Sequence, residues 1–425
     1  MRLLVGRILK YSLVGLTTGT SIYYLHKNDY SFSHIGIVRF ARVGVASQTM
    51  IDYKWSLWGL ELNDVFDEFN SQPCGAASLA QVHKARLKST GEYVAVKLQH
   101  PHVRARSIVD IVTMELFVGI AAFVFPNLRL NWLVNEMKRN LPIELDFVYE
   151  AANADRVRQM FAHLPFLKIP KIYYELSNDM VLTMEFCEGG KINDLEYFKA
   201  NKIDRHKVCK MLGRIYSEMI FKHGYVHSDP HPGNIFVRFT PDGNEEIILL
   251  DHGLYTLPDD LRIDYAHLWL AILKADKNKI QKISERMNVG SQYGLLACVV
   301  SMRSWDAVSK GIIKTKRNEH EIRRVQNFAA SLIPQISLLL DSLPRQMLLL
   351  LKTNDLLRSI ALRLKAEHNL DSFTEMSKHC VQAVYFHSIA NSHFALERFR
   401  IRLKMYTLLV GIRNFKITLD HHGDW

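Results

Sequence analysis

The stretch V-H-S-D-P-H-P-G-N-I-F-V, residues 226–237, and the stretch L-L-D-H-G, residues 249–253, carry the strongest pattern in this 425-residue sequence. Asn234 follows Asp229 by five positions and opens a short apolar run, and a second apolar run ends at Asp251. Two such runs joined by a polar, glycine-containing segment predict a strand hairpin. The sequence therefore presents, in order, a loop, a hairpin, a strand and an acid.

That order is typical of phosphoryl transfer. The chemistry needs a carboxylate that accepts or orients the attacking hydroxyl, which we assign to Asp229. It also needs an amide oxygen and a second carboxylate to hold Mg²⁺ against the phosphates, which we assign to Asn234 and Asp251. In kinases the same five-residue spacing is followed by D-F-G on the next hairpin, and D-H-G follows here.

Two other interpretations of the loop are kept open. Pro230, Pro232 and Gly233 could simply stiffen a turn. Alternatively, a zinc or iron ion for metal-assisted hydrolysis could bind four nearby side chains of suitable type: His227, His231, Asp251 and His252.

A lysine upstream has a role only in the phosphoryl-transfer interpretation. Lys97 ends V-A-V-K in the β-branched run from Tyr93 to Gln99, which a glycine-containing turn joins to residues 79–87. Upstream, P-C-G-A-A-S-L-A-Q-V spans residues 73–82, with small residues that let backbone amides approach phosphate. The alternative for Lys97 is an exposed strand lysine without a ligand.

The remaining pattern predicts an α+β fold with strands early and helices late. We expect some helix near residues 60–69, helices over 103–125 and 130–164 with an interruption at Pro142, and strands over 170–174 and 180–186. A helix over 204–223 should end at Gly224, a strand should occupy residues 246–250, and helices should follow Leu261.

Together these motifs resemble the ABC1/UbiB family of atypical kinases, the aarF-domain-containing kinases. The resemblance rests on G-A-A-S-L-A-Q-V-H-K-A, V-A-V-K, E-L-D-F-V-Y-E, V-H-S-D-P-H-P-G-N and L-D-H-G, and it covers the chain from about Pro73 onward. It implies a protein-kinase-like bilobal fold with a small strand-bearing N-lobe and a large helical C-lobe. The resemblance and the pattern along the chain together predict five segments: residues 1–28 (targeting segment or marginal anchor), 29–70 (connector), 71–186 (N-lobe with a helical insertion), 187–335 (C-lobe) and 336–425 (C-terminal helices with a basic tail).

The resemblance also implies ATP and Mg²⁺ as cofactors and gives roles by position. Asp229 resembles the catalytic acid, and Asn234 and Asp251 resemble the Mg²⁺ ligands. The implied ATP-binding residues are the small loop residues Gly75, Ala76, Ala77 and Ser78, the phosphate-binding Lys97 with its helix partner Glu150, and Met184 and Glu185 in the adenine hinge. Glu144 and Asp146 match the family's E-x-D.

One family motif is missing. The family has K-x-G-Q on extra helices before the alanine-rich loop, where it meets the E-x-D glutamate, and no K-x-G-Q occurs in this sequence. The simplest explanation is a splice form or gene model that lacks the segment. Glu144 would then lose its lysine partner, so the activity of this chain is a separate question from that of the family.

Charge and the N-terminal segment indicate a location. The net charge is +11, yet the basic residues are spread along the chain without a groove-reading motif, so we expect no nucleic-acid partner. The first 28 residues contain Arg2, Arg7, Lys10 and Lys27 and no acid, as mitochondrial import signals do. The uncharged stretch 11–25 is shorter than the roughly 20 apolar residues that a membrane-spanning helix needs. The segment therefore predicts a mitochondrial import signal or a marginal membrane anchor, and the alternative is a buried N-terminal helix. Together with the family resemblance, it leads us to expect a mitochondrial protein on or near the inner membrane. The basic tail, residues 393–416, could rest on anionic lipid or pack on the C-lobe.

The resemblance implies ATPase or kinase activity of unknown substrate, linked to coenzyme Q, membrane lipids and inner-membrane organisation. Two rivals have different chemistry: a small-molecule phosphotransferase, which shares the H-x-D-x-x-x-x-N loop, and a pseudokinase scaffold that binds nucleotide without catalysis. The five cysteines lie far apart and predict no disulfide framework or zinc knuckle.

Overall fold

A computed structural model of the chain describes residues 62–76, 79–100, 103–124, 131–227, 229–312, 333–366 and 370–421. These residues form two compact units. The first contains the described residues up to 124, together with Leu145–Phe147 and Tyr173–Phe186; the second contains the rest.

The helices and strands are numbered in chain order. The N-terminal half contains α1 (Leu62–Val65), β1 (Phe66–Phe69), β2 (Gly75–Ala76), β3 (Ala80–Leu87), β4 (Tyr93–Gln99), α2 (Val103–Val124), α3 (Asn131–Glu144), α4 (Phe147–Met160), β5 (Leu167–Lys168), β6 (Val181–Glu185), β7 (Gly190–Lys191), α5 (Leu195–Ala200) and α6 (Arg205–Ser217). A π-helical turn (Glu218–His223) continues α6, followed by β8 (Tyr225–His227), β9 (Ile235–Phe239), β10 (Glu245–Leu249) and β11 (Leu254–Thr256). The C-terminal helices are α7 (Asp259–Leu273), α8 (Lys277–Arg286), α9 (Tyr293–Ser301), α10 (Trp305–Lys310), α11 (Ile333–Ser342), α12 (Arg345–Arg363), α13 (Leu370–Ala390) and α14 (Ala395–His421).

The first unit is built on an antiparallel sheet with the order β1-β3-β4-β6, and β2 also pairs with β3. Successive side chains point to opposite faces of a strand, so the alternation in β3 and β4 creates one apolar face. That face forms a core with the residues Phe66, Ala85, Leu87, Val94, Val96, Leu98, Tyr173 and Val181. Each such Val or Leu contributes about 1.5–3 kcal/mol when fully buried. The predicted hairpin of β3 and β4 is confirmed.

The second unit combines small sheets with many helices. Its four-stranded sheet has the order β5-β10-β9-β7, and β8 pairs with β11. Helices α6 and α7 and the π-helical turn bury large side chains together, and the Phe221 ring stacks on Tyr265 with a centroid separation of 5.7 Å. A strand-bearing first unit followed by a mostly helical second unit is the predicted α+β fold.

Three local predictions need correction. Only residues 62–65 of the stretch 60–69 are helical, because Phe66 pairs with Leu87 and begins a strand. The interruption predicted at Pro142 in the stretch 130–164 lies instead at residues 145–146, between the end of α3 at Glu144 and the start of α4 at Phe147. The stretch 170–174 forms a single bridge at Ile172 and enters a 3-10 turn instead of a strand.

Helix α2 is strongly apolar. Its window Ser107–Val124 has a mean hydropathy of 2.0 and is 11% buried, so by length and composition it could cross a membrane; it is the one such helix among the described residues. The window also contains Asp110 and Glu115. Length and composition alone do not make a membrane span, and the predicted marginal anchor at residues 3–25 lies outside the described residues.

Candidate active site

The β9–β10 hairpin carries two of the predicted site residues to one end. Ile235 pairs with Leu249, and the Leu250 N–H donates to the Asn234 carbonyl at 3.0 Å. Asn234 precedes β9 and Asp251 follows β10 by two residues, so both lie where the hairpin opens. The hairpin predicted from the sequence is present, with β10 one residue earlier than expected.

Short hydrogen bonds fix the loop between β8 and β9. The His231 N–H donates to the Asp229 carbonyl at 2.7 Å, and the Asn234 N–H donates to the His231 carbonyl at 2.8 Å. The Asn234 side-chain Nδ2 also reaches the Asp229 carbonyl, at 3.4 Å. The catalytic-type acid and the candidate amide ligand therefore belong to one hydrogen-bonded loop.

His227 joins this loop to the D-H-G loop. Its Nδ1 accepts from the Asp229 N–H at 3.2 Å, and its Nε2 lies 2.6 Å from the Asp251 carbonyl. Burial lowers the pKa of His227, against the opposing effect of the Asp251 and Asp229 carboxylates. A neutral ring that carries its proton on Nε2 satisfies both bonds. His227 therefore positions two acids and is not available as a metal ligand.

A buried asparagine on α4 also makes a hydrogen bond to the D-H-G loop. Asn153 on α4 donates from Nδ2 to the His252 carbonyl at 3.0 Å and accepts from the Tyr225 hydroxyl. Asn153 is 4% exposed, so these bonds are made away from solvent. The loop that carries Asp251 is thus tied to both α4 and β8.

The side chains at the hairpin end suit Mg²⁺. Asp251 Oδ1 accepts from the Gly253 N–H at 3.0 Å, which orients the carboxylate. The Asn234 Nδ2 contacts the Asp229 carbonyl at 3.4 Å, so Oδ1 is the side-chain atom that would bind a cation. Carboxylate and amide oxygens are the ligands that Mg²⁺ takes alongside substrate phosphates.

The zinc or iron interpretation is wrong for the four side chains considered. In the part of the chain that the structure describes, no three His, Cys, Asp or Glu side chains come together as a metal site. The set His227, His231, Asp251 and His252 therefore does not surround one ion, and His227 uses both ring nitrogens in hydrogen bonds.

The first unit arranges the predicted nucleotide-binding residues along its sheet. Gly75 on β2 pairs with Val82, and Val82 pairs with Lys97 on its other side. Directly opposed residues share a face, so the small-residue loop and the lysine lie on one cross-strand row about 10 Å apart. Ala76 is on β2 as well, while Ala77 and Ser78 lie outside the described residues.

Lys97 also pairs with Leu182 on β6, and its Nζ lies 5.0 Å from the centroid of the Phe147 ring. Its face of the sheet is opposite to the apolar core. Met184 and Glu185 end β6 on the same sheet, where Met184 pairs with Ala95. Ala95, Leu182 and Met184 are the apolar residues beside Lys97 on this face, and all three are buried.

The acids assigned from the family pattern lie on helices α3 and α4. Glu144 ends α3, Asp146 lies between the helices, and Glu150 is in the first turn of α4 with 8% exposure. Glu150 and Glu144 belong to the second unit and Lys97 to the first. The roles of all the assigned residues, including the Lys97–Glu150 pair, stay predictions.

Three contributors were not identified from the sequence. Asn153 and Tyr225 gave no signal, since a buried amide and phenol are ordinary inside a domain. Lys352, whose Nζ lies 3.2 Å from Asp229 Oδ1, is far along the chain from the loop. His227 did give a signal, because it stands two residues before Asp229 as the His of H-R-D does.

A strand-bearing unit with a V-A-V-K lysine and a helical unit with linked catalytic-type and D-H-G loops define a protein-kinase-like fold. The ABC1 atypical kinase-like domain matches residues 49–284, more than half of the chain, and this chain belongs to that family.

Relatives agree with this assignment. The chain is 48% identical to AarF domain-containing kinase 1 of Drosophila melanogaster over 83% of this chain and 70% of that protein. It is 45% identical to AarF domain-containing protein kinase 1 of Mus musculus over 84% of this chain and 70% of the relative. The fold is similar to that of the Mycobacterium tuberculosis protein Rv3197, solved with erythromycin, with a TM-score of 0.51, 17% identity, and coverage of 86% and 95%.

Proposed function

We propose that this chain binds ATP with Mg²⁺ and acts as an atypical kinase or ATPase. The observation that carries the proposal is the geometry of the second unit. Asn234 and Asp251 meet at one end of a hairpin, and His227 ties Asp229 to the same loop through bonds of 2.6 and 3.2 Å. The arrangement supplies one acid for the attacking oxygen and two oxygen ligands for the cation.

Each residue has one task in this proposal. Asp229 orients the attacking hydroxyl or water and accepts its proton. Asp251 and Asn234 hold Mg²⁺, which when bound supplies positive charge to the β- and γ-phosphates. Lys97 binds phosphate oxygens, and Met184 and Glu185 hold the adenine.

The test is Mg²⁺-dependent ATP hydrolysis by the purified full chain. We expect Asp251→Asn to lower the rate by more than about 100-fold, because even the partners of metal ligands contribute roughly 10- to 100-fold. Asp242→Asn is the matched control, since Asp242 is an exposed acid in the turn of the same hairpin. Equal rates for wild type and Asp251→Asn would rule out the enzyme and favour the nucleotide-binding scaffold. Measurements of ATP binding with and without Mg²⁺ would then show whether the chain binds nucleotide without catalysis.

Product analysis distinguishes the other rival. A small-molecule phosphotransferase would form a phosphorylated alcohol when candidate alcohols are added, whereas the ATPase would release only inorganic phosphate. The alanine-rich loop and the E-x-D favour the atypical kinase family over the small-molecule enzymes.

The proposal extends to location and partners. An acid-free, basic start supports import into mitochondria, where the protein would support lipid and coenzyme Q homeostasis and inner-membrane organisation. Removal of residues 1–28 should abolish import into isolated mitochondria, and undiminished import of the shortened chain would contradict the location. Anionic membrane lipid is the proposed partner, because helix α14 is basic and exposed.

A further inference from the structure

A lysine from the C-terminal helices contacts the candidate catalytic acid. Lys352 Nζ lies 3.2 Å from Asp229 Oδ1, and both side chains are about half exposed. Lys352 is on α12, more than a hundred residues after the catalytic loop and beyond the part of the chain matched by the family domain. The family pattern therefore gives this residue no role.

Buried neighbours fix the position of Lys352. Its neighbours on α12 include Leu350 and Thr353, which are fully buried. Asn354 donates to the Tyr265 hydroxyl, and Arg358 donates to the Val300 carbonyl. A helix held in this way presents the lysine to Asp229 from a fixed direction, so the contact does not depend on the lysine's own flexible stem alone.

Stability does not explain the contact. An ion pair this exposed contributes little to folding because water screens it and two long side chains must be ordered. At the candidate catalytic acid, however, the ammonium contacts one of the two carboxylate oxygens, Oδ1.

We propose that Lys352 is a positioning residue of the phosphotransfer site, an inference that rests on the proposed function. Its ammonium binds Oδ1 of Asp229 and turns Oδ2 toward the attacking oxygen. In the step it serves, the attacking oxygen forms a bond to the γ-phosphorus and its proton passes to Asp229. The bond from the γ-phosphorus to the bridging oxygen breaks, and ADP leaves with the electron pair.

The experiment measures kcat and KM for Mg²⁺-dependent ATP hydrolysis by the full chain. We expect Lys352→Met to lower kcat roughly ten- to a hundredfold, as misplacement of a reacting group does. KM for ATP should stay within about twofold, since the lysine acts on the acid and not on nucleotide binding. Lys352→Arg should retain most of kcat, because a guanidinium can still bind Oδ1. Arg363→Met, which removes an exposed charge from the same helix, should match wild type.

Either of two results would overturn the inference: Lys352→Met with wild-type kcat, or Lys352→Arg as impaired as Lys352→Met. Thermal unfolding of each variant separates loss of folding from loss of rate, and the midpoint should be unchanged for an exposed site. If wild type hydrolyses ATP no faster than Asp251→Asn, the proposed function fails and this inference with it. If wild type is active and Lys352→Met equals it, only the inference fails.

Discussion

At the scale of single residues, Glu218 is a buried carboxylate that accepts hydrogen bonds from an arginine, a lysine and a histidine. Its side chain is 4% exposed, and it accepts from His163 at 2.7 Å, Arg214 at 3.2 Å and Lys222 at 3.3 Å. Burial raises the pKa of Glu218, but the hydrogen bonds from these partners outweigh it, so the net shift is downward. The folded protein therefore favours the ionised carboxylate.

This shift predicts a pH-dependent effect of Glu218→Gln. Near pH 4.5 the unfolded chain binds a proton at Glu218 that the folded chain does not, so the stabilisation is complete above that pH. It is lost as the pH falls through the lower, folded pKa. At pH 7 we expect Glu218→Gln to reduce the free energy of unfolding by about 1–3 kcal/mol, as for hydrogen bonds to charged groups. Denaturant unfolding at pH 7 and pH 3 measures the difference.

The matched control is Glu196→Gln, an exposed glutamate on α5. It should change stability little at either pH. A Glu218→Gln penalty as large at pH 3 as at pH 7 would show that the carboxylate's charge is not what stabilises the fold.

Which site residues could be predicted depends on where their partners come from. Asp229, Asn234 and Asp251 lie within one short stretch, so their spacing alone indicated a shared task. Lys352 reaches Asp229 only through the tertiary packing of α12, and no local pattern marks a lysine in an amphipathic helix. The double hydrogen bonding of His227 likewise depends on how two loops meet, which a single sequence does not contain.

At the scale of elements, strong local signals were predicted correctly. Gly224 ends the helical stretch with φ at 62°, the left-handed region that glycine adopts without strain. The run from Tyr93 to Gln99 is a strand with those bounds, because β-branched residues alternate there.

Local prediction failed where tertiary partners decided the outcome. Phe66 becomes a strand residue because β3 offers it a partner in Leu87. Pro142 lies inside α3, which ends two residues later at Glu144, so the interruption comes just after the proline and not at it. The π-helical form of residues 218–223 also had no local signal, and a wider turn of this kind at the end of a helix often marks a functional region.

At the scale of the whole molecule, the order of patterns along the chain predicted the fold class. Which side chains are exposed on the surface could be seen only in the structure. The sequence showed a basic tail but not which side of it is exposed. Helix α14 packs on α13 and still exposes an apolar stripe at helical spacing, formed by Leu396, Phe399, Leu403 and Tyr406, which are 56–67% exposed. Basic residues flank the stripe on both sides at adjacent helical positions: Arg398 and Arg402, and Arg400 and Lys404.

An apolar stripe between two basic rows is the pattern of a helix that lies on an anionic membrane surface. Each basic residue near such a surface contributes about 1 kcal/mol to binding. We therefore expect replacement of Arg398, Arg400, Arg402 and Lys404 by serine to weaken binding of the full chain to anionic phosphatidylserine vesicles by more than about tenfold. Added salt should weaken wild-type binding, because it screens exposed charges.

The control removes four exposed lysines from elsewhere in the second unit: Lys199, Lys202, Lys210 and Lys282. Both variants have the same net charge, so a general attraction between a basic protein and an anionic surface would weaken equally in the two. If α14 contacts the membrane, only the α14 variant should lose binding to the anionic vesicles. Neutral phosphatidylcholine vesicles should bind every form weakly. Equal losses in the two variants would mean that net charge draws the protein to lipid and that α14 only packs against its neighbouring helix.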